Sequence, residues 1–403
     1  MTARTPALSF IFLTLLLDVL GFGLLIPVAP RLIQELQGGT EQDAAPIVGM
    51  LAATYAAMQF LFAPMLGALS DRFGRRPVLL VALLGSGLDY VAMALAPTVP
   101  LLFVTRVING LSGASITVAS AYIADVTTPE KRAAGYGMMG AAFGLGFILG
   151  PLAGGLLGEI DIRLPFYAAA GLTLCNWLYG LLVLPESLPK ERRGEWSWSR
   201  SNPVGAFAGL FEHPRVIGLA AAGFFANLAQ FGLHATWVLY TGHRYGWGPR
   251  EVGFSLTAVG LGAAIVQGGL ARRIIPALGE RTSVLLGLAL GVIAYAGYGL
   301  ATQGWMIYAA IAVATLGGIA QPAAQAIITK SVEPSRQGSV QGALTGLQSV
   351  AQVIGPLVGS WAFTLAISGR LGAEVPGLSF LLGSVLAAVG WMVAAFVLGR
   401  RVD

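Results

Sequence analysis

Three charged residues stand where charge is costly. Asp18 lies in LLLDVLGFGLLIPVAP, Asp89 in GSGLDYVAMA and Arg106 in RVINGLSGA, each inside a run that is otherwise apolar or small. By the α-helical rise, Asp18 is roughly 15 Å into its run and Asp89 about 18 Å beyond Pro77. Ionisable groups at that depth mark functional positions, and a carboxylate there suits the binding and release of a proton. Arg106 is the one basic residue inside any apolar run, so a carboxylate or a water-filled cavity must face it. Asp89 and Asp18 are the deep acids available to it. No P-loop, HExxH pattern or CxxC pair is present, so neither nucleotide hydrolysis nor zinc chemistry is expected. The residues point to no enzyme, no metal site and no cofactor.

The second half carries neutral polar groups instead. Asn227, Gln230, Gln267, Gln321 and Gln325 interrupt apolar sequence, and His234 is the one imidazole among them. Such groups suit hydrogen bonding to a mostly apolar ligand. Each of them serves equally well as a tie between helices.

The elements that position these residues follow from composition. The 403 residues are 56% hydrophobic and 11% charged, with a mean hydropathy of +0.74. A soluble domain carries about 25% charge, and only a bilayer can hide this much apolar surface. At about 20 residues per span, the pattern predicts an all-α membrane protein with twelve helices. Their limits are 8–32, 45–69, 77–96, 99–122, 133–157, 164–184, 216–241, 251–271, 282–301, 305–329, 338–367 and 376–398. With both termini in the cytoplasm, 18 of the 24 basic residues fall on the inner side and five on the outer side, which fixes the orientation. The formal charge of +5 is spread over many helix ends and is no nucleic-acid signature. The single Cys175 makes no intrachain disulfide and reads as a packing residue. The first seven residues leave no room for a cleaved signal, so the first run reads as a retained helix.

One charged stretch orders the first half. GALSDRFGRRPVLL, residues 67–80, sets Asp71, Arg72, Arg75 and Arg76 within six residues between two apolar runs. It reads as a loop in water, with Pro77 opening the next helix. Gly150-Pro151-Leu152-Ala153-Gly154 returns as Gly355-Pro356-Leu357-Val358-Gly359, and Val78-Leu79-Leu80 returns as Val284-Leu285-Leu286. Two matches about half a chain apart, with Arg132 and Arg336 as a third, indicate a duplicated six-helix unit. The domains expected are an N-terminal bundle (1–184), a cytoplasmic linker (185–215) and a C-terminal bundle (216–403). Trp196 and Trp198 of the linker are expected at the headgroups. Parallel repeats of this kind bind substrate near the membrane midplane.

GALSDRFGRRPVLL resembles the loop 2–3 signature of the major facilitator superfamily. Arg106-x-x-x-Gly110-x-x-Gly113 resembles the helix 4 motif of its proton-coupled members. GLGFILGPLAGG, with Gly146, Gly150, Pro151, Gly154 and Gly155, resembles the antiporter motif of its exporters. With LLLDVLGFGLLIPVAP, GSGLDY, WVLYTGHRYGWGPREVGFSL and GALTGLQSVAQVIGPL, the whole chain is similar to the tetracycline/proton antiporter branch. The resemblance implies two six-helix bundles, alternating access, and drug efflux by proton antiport from the bacterial inner membrane. It implies a monomer in the lipid bilayer whose partners are protons and a small amphiphilic substrate. Asp18, Asp89 and Arg106 then serve coupling. Asp71, Gly74, Arg75, Arg76 and Asp125 serve gating, with Asp71 facing the start of helix 11 and Arg75 paired with Asp125. Asn227, Gln230, His234, Gln267, Gln321 and Gln325 serve substrate binding. One departure stands out. Tetracycline exporters typically use a histidine in helix 8 and an acid in helix 9 for the drug's magnesium chelate, and the aligned residues here are Ala263 and Gly291. A proton-coupled importer or facilitator of a metabolite, or a non-transporting membrane receptor or scaffold, is the alternative reading.

Overall fold

The structure is a computed structural model and describes residues 5–112, 115–128, 131–194, 214–333, 336–370 and 372–399. Among the described residues there is no strand and there are sixteen α-helices. They are α1 (Thr5–Leu25), α2 (Ala29–Gln37), α3 (Glu41–Phe73), α4 (Arg75–Ala94), α5 (Val99–Ser112), α6 (Ser115–Val126), α7 (Arg132–Ile160) and α8 (Leu164–Val183). After the linker come α9 (Pro214–Tyr245), α10 (Pro249–Ile265), α11 (Ala271–Leu278), α12 (Glu280–Leu300), α13 (Gly304–Gly317), α14 (Ala320–Lys330), α15 (Gln337–Ile367) and α16 (Leu378–Gly399). Among the described residues, eleven helical stretches are long and apolar enough to cross a bilayer. The bent pair Ser9–Leu25 and Ala29–Gln37, at 41°, makes a twelfth if it is one span.

Several expected boundaries are corrected. The first helix does not run unbroken over 8–32 but stops at Leu25 and restarts at Ala29. Pro27 and Pro30 lack the N–H that an unbroken helix needs, and two tight turns, Ile26 N–H to Gly23 C=O and Val28 N–H to Leu25 C=O, bridge the gap. The charged stretch 67–80 is not an open loop. α3 continues through Asp71 and Arg72 to Phe73, and α4 starts at Arg75, so the connection is Gly74 alone. Pro77 therefore sits in the first turn of α4 rather than opening it. The eighth run extends to Leu278, which puts Arg272 and Arg273 in a helix, and it contains a π-helical turn, Val266–Leu270. The tenth run breaks between Gly317 and Ala320. Trp196, Trp198 and Gly113 lie outside the described residues.

The chain gathers into two compact units: Met1–Gln37, Thr54–Pro203 and Gly248–Thr257 form unit 1, and Gly38–Ala53, Val204–Trp247 and Ala258–Asp403 form unit 2. Unit 1 is built around α1, which packs on α7 and α8. Its core includes Phe10, Leu15, Leu79, Leu83 and Tyr122. Unit 2 is built around α9, which packs on α15 and α16, over a core that includes Val216, Val284, Ala323 and Val340. Both units use small residues to bring helices together. A Cβ on Gly150 of α7 would lie 2.7 Å from Gly23 Cα of α1, and one on Gly359 of α15 would lie 2.6 Å from Gly232 Cα of α9. Backbones this close are held by packing between small residues, as membrane helices require.

Candidate functional site

In unit 1, α4 and α5 bring two of the three deep charges together. Arg106 donates from an Nη atom to Asp89 Oδ2 at 2.8 Å. Asn109, one turn after Arg106, donates its amide to the same oxygen, and Arg106 also meets Met93 Sδ. The Asp89 side chain is fully buried and that of Arg106 is 15% exposed. The Tyr55 ring of α3 lies under the guanidinium, 5.9 Å from centroid to Cζ. Gly110 permits this approach, since a Cβ there would lie 3.0 Å from the Tyr55 carbonyl. Asp89 Oδ1 and Arg106 Nε are buried and lack a hydrogen-bond partner among the described residues.

Asp18 has a different hydrogen-bond partner. Its Oδ2 accepts from Ser115 Oγ of α6 at 2.7 Å. The carboxylate therefore has a neutral hydroxyl partner, an arrangement that tolerates both its charged and its protonated form. Gly146, Gly150 and Gly154 of α7 pack on Val19, Gly23 and Leu24 of the same α1. Gly155 packs against Gly253, where its Cβ would lie 3.0 Å from Cα. Pro151 lies inside α7, between those contacts.

The turn at Gly74 is a second constellation in unit 1. Gly74 has φ +106°, a conformation that costs an L side chain dearly. Arg75 is 8% exposed. Its guanidinium meets Asp71 at 2.5 Å, Asp125 at 3.0 Å and Ser70 Oγ at 2.6 Å. Arg76 donates to the Leu181 carbonyl at 2.8 Å. Glu186, just after α8, accepts the Arg75 backbone N–H at 2.8 Å and those of Ser187 and Leu188 at 3.0 and 3.1 Å. It thus caps the first turn of α4, where free N–H groups attract an anion. Ser187 Oγ donates to Asp125, and the Gly194 N–H donates to the Asp71 carbonyl.

In unit 2, Asn227, Gln230 and His234 recur along α9, Gln267 lies on the π-helical turn, and Gln321 and Gln325 are one turn apart on α14. Gln230, His234, Gln267, Gln321 and Gln325 are exposed and Asn227 is half-buried. Gln230 Nε2 is 2.7 Å from His234 Nε2, and Tyr295 OH donates to Gln230 Oε1 at 3.1 Å. Sequence reasoning missed Asn109, Ser115, Glu186 and Tyr295. Asn109 was findable, three residues after the buried arginine, and Glu186 was findable as an acid directly after a span. Ser115 and Tyr295 become visible only through tertiary packing.

Comparison with known proteins agrees with this architecture. The model of the Major Facilitator Superfamily matches residues 11–356. The class C tetracycline resistance protein of Escherichia coli is 38% identical over 383 residues, which is 95% of each chain. The human organic anion transporter MFSD10 (TETRAN) is 26% identical, with a TM-score of 0.71 over 98% of this chain and 100% of its own. The nucleoside transporter NupG shares the fold at a TM-score of 0.78 and 12% identity, over 100% of both chains. The chain belongs to the Major Facilitator Superfamily, in the branch of the tetracycline resistance proteins, and is a multi-pass membrane transporter rather than an enzyme.

Proposed function

We propose that this transporter exports a small amphiphilic compound by alternating access, in exchange for protons moving inward. The observation that carries the reading is the buried Asp89–Arg106 pair with Asn109 on the same oxygen. A charged pair inside apolar helices costs folding energy that packed apolar residues would not, and its retention is explained if one partner titrates during transport. Asp18, with Ser115 Oγ on its carboxylate, is the second proton site. Asp89, Arg106 and Asp18 are therefore the coupling residues. The Gly74 turn, with Asp71, Arg75, Arg76 and Asp125, is the gating element, and Glu186 anchors it to the start of the linker. Gly146, Gly150, Pro151, Gly154 and Gly155 keep α7 tight on its neighbours and block leakage along it. Asn227, Gln230, His234, Gln267, Gln321 and Gln325 bind the ligand. The protein works as a monomer in the inner membrane of a bacterium, with both termini in the cytoplasm and the halves 1–184 and 216–403 as the moving bundles.

The relatives are named for tetracycline resistance, yet Ala263 and Gly291 offer no imidazole and no carboxylate. Magnesium prefers carboxylate oxygens, so the preferred cargo is an amphiphile that carries no metal. The test is a substrate panel in inverted vesicles under a proton gradient. Substrate-dependent proton efflux and uphill accumulation support the reading. Substrate movement without proton movement refutes the antiport, and counterflow in oppositely oriented vesicles separates export from import.

A further inference from the structure

Three polar side chains of unit 2 form one hydrogen-bonded row on otherwise apolar helices. Tyr295 OH of α12 donates to Gln230 Oε1, and Gln230 Nε2 meets His234 Nε2 one turn further along α9. The direction of the row follows from chemistry. An amide nitrogen only donates, so His234 Nε2 must accept. A neutral imidazole whose Nε2 accepts carries its proton on Nδ1. The row therefore delivers a fixed N–H donor at its end.

The two ends differ in exposure. Tyr295 is 8% exposed and is held edge-on by Tyr298, with ring centroids 6.2 Å apart. His234 is exposed, and the Phe231 ring stands edge-on to it at 6.1 Å. Among the described residues Nδ1 has no hydrogen-bond partner. No Asp, Glu, Lys or Arg lies within about two turns of these residues along α9 or α12. Such a row in a membrane helix opens on water or ligand, not on acyl chains.

We propose that Tyr295, Gln230 and His234 act together as a specificity relay. It presents a neutral Nδ1–H to an acceptor oxygen (carbonyl, enolate or carboxylate) of the transported amphiphile. The inference rests on the exporter reading for the existence of a ligand site on α9, and adds Tyr295 and the chemical class of the ligand. Tyr295 is a positioning residue: it orients the Gln230 amide, and the amide orients the ring. An organic cation without acceptor oxygens gains nothing from this end of the site.

The test is ¹⁵N NMR of the full-length protein, histidine-labelled, in lipid nanodiscs, with His234 assigned by its loss in His234→Asn. The expected wild-type ring is the neutral Nδ1–H tautomer, and Tyr295→Phe, which keeps the ring and removes the donor, gives a mixture of tautomers. Tetracycline offered with a chelator, so that no metal complex forms, shifts the His234 resonances. Tetraphenylphosphonium, which has no acceptor, leaves them in place. Affinity for tetracycline falls about tenfold in His234→Gln, as for one lost hydrogen bond. An Nε2–H or protonated ring in the wild type overturns the relay. Unmoved resonances with tetracycline, or equal shifts with tetraphenylphosphonium, overturn the ligand class. If the NMR results hold while no proton moves with substrate, the antiport reading fails and the relay stands.

Discussion

Neutralising Asp89 separates folding from coupling. The Asp89 carboxylate has no exposure and serves two donors through Oδ2, the Arg106 guanidinium at 2.8 Å and the Asn109 amide. Removing one partner of a buried pair typically costs about 3–5 kcal/mol, because the other charge is stranded. Asn removes the counter-charge of Arg106 but keeps an oxygen for it, and that surviving hydrogen bond brings the expected loss for Asp89→Asn to about 2 kcal/mol, below the full penalty. Arg106→Gln alone strands the carboxylate and is expected to cost about 3 kcal/mol. The double variant Asp89→Asn/Arg106→Gln carries no stranded charge, and its stability should return to within about 1 kcal/mol of the parent. Unfolding in detergent measures this cycle. Proton-driven accumulation in inverted vesicles measures the other property. It should vanish in Asp89→Asn and stay absent in the double variant, while substrate counterflow persists in both. Uphill accumulation at the parental level in Asp89→Asn, or its recovery together with stability in the double variant, refutes the coupling role and leaves a structural ion pair.

Gly150→Val forces a side chain to within 2.7 Å of Gly23 Cα, so it should cost about 1–3 kcal/mol of stability and slow transport. Gly144→Val, at a glycine with no neighbour within 4 Å, should do neither. Asp71→Asn removes an anion 2.5 Å from Arg75, and a fluorescence distance across the cytoplasmic side should report more inward-open protein; an unchanged distribution reduces Asp71 to a topology signal. In a Cys175→Ser background, a cysteine at exposed Arg192 should resist an impermeant reagent in intact cells and one at exposed Thr302 should react; the reverse pattern overturns the orientation. Magnesium should not stimulate tetracycline uptake by inverted vesicles, and robust magnesium-dependent accumulation would show that groups other than Ala263 and Gly291 hold the chelate.

How much of this was legible in the sequence depends on the range of the interaction. The spans were legible because hydropathy acts residue by residue. The depth of Asp18, Asp89 and Arg106 was legible because each interrupts an apolar run. That Arg106 needs an acid was also legible, since an unpaired guanidinium is untenable in hydrocarbon. Which acid it takes was not: Asp89 and Asp18 were equal on sequence, and only the packing of α4 on α5 decides for Asp89. The turn at Gly74 was misread as an open loop because four charges in six residues look like solvent-facing chain. Two of the four, Asp71 and Arg75, pair with each other across Gly74, Arg75 also takes Asp125, and Arg76 takes the Leu181 carbonyl, so the helices run on to within one residue of each other. The π-helical turn at Val266–Leu270 and the break after Gly317 left no sequence signal beyond glycines, which are too common here, at 55, to punctuate.

The distribution of charge between the halves has a mechanical consequence. Each half packs a Gly-Pro-x-x-Gly helix on a glycine of its first span, through Gly150 and Gly23 in one case and Gly359 and Gly232 in the other. The scaffold is thus repeated while the chemistry is not. The spans of the first half hold Asp18, Asp89 and Arg106, and the polar row of the second half is neutral: Asn227, Gln230, His234 and Tyr295. A proton that binds in unit 1 changes a charge inside apolar helices, which is worth several kcal/mol. A ligand held by neutral hydrogen bonds contributes about 1 kcal/mol for each. On the antiport reading, protonation therefore sets which conformation is stable and the ligand selects which compound travels. Exchanging polar residues in the second half should then change substrate preference and leave proton dependence intact, whereas neutralising Asp89 should abolish proton dependence for every substrate alike.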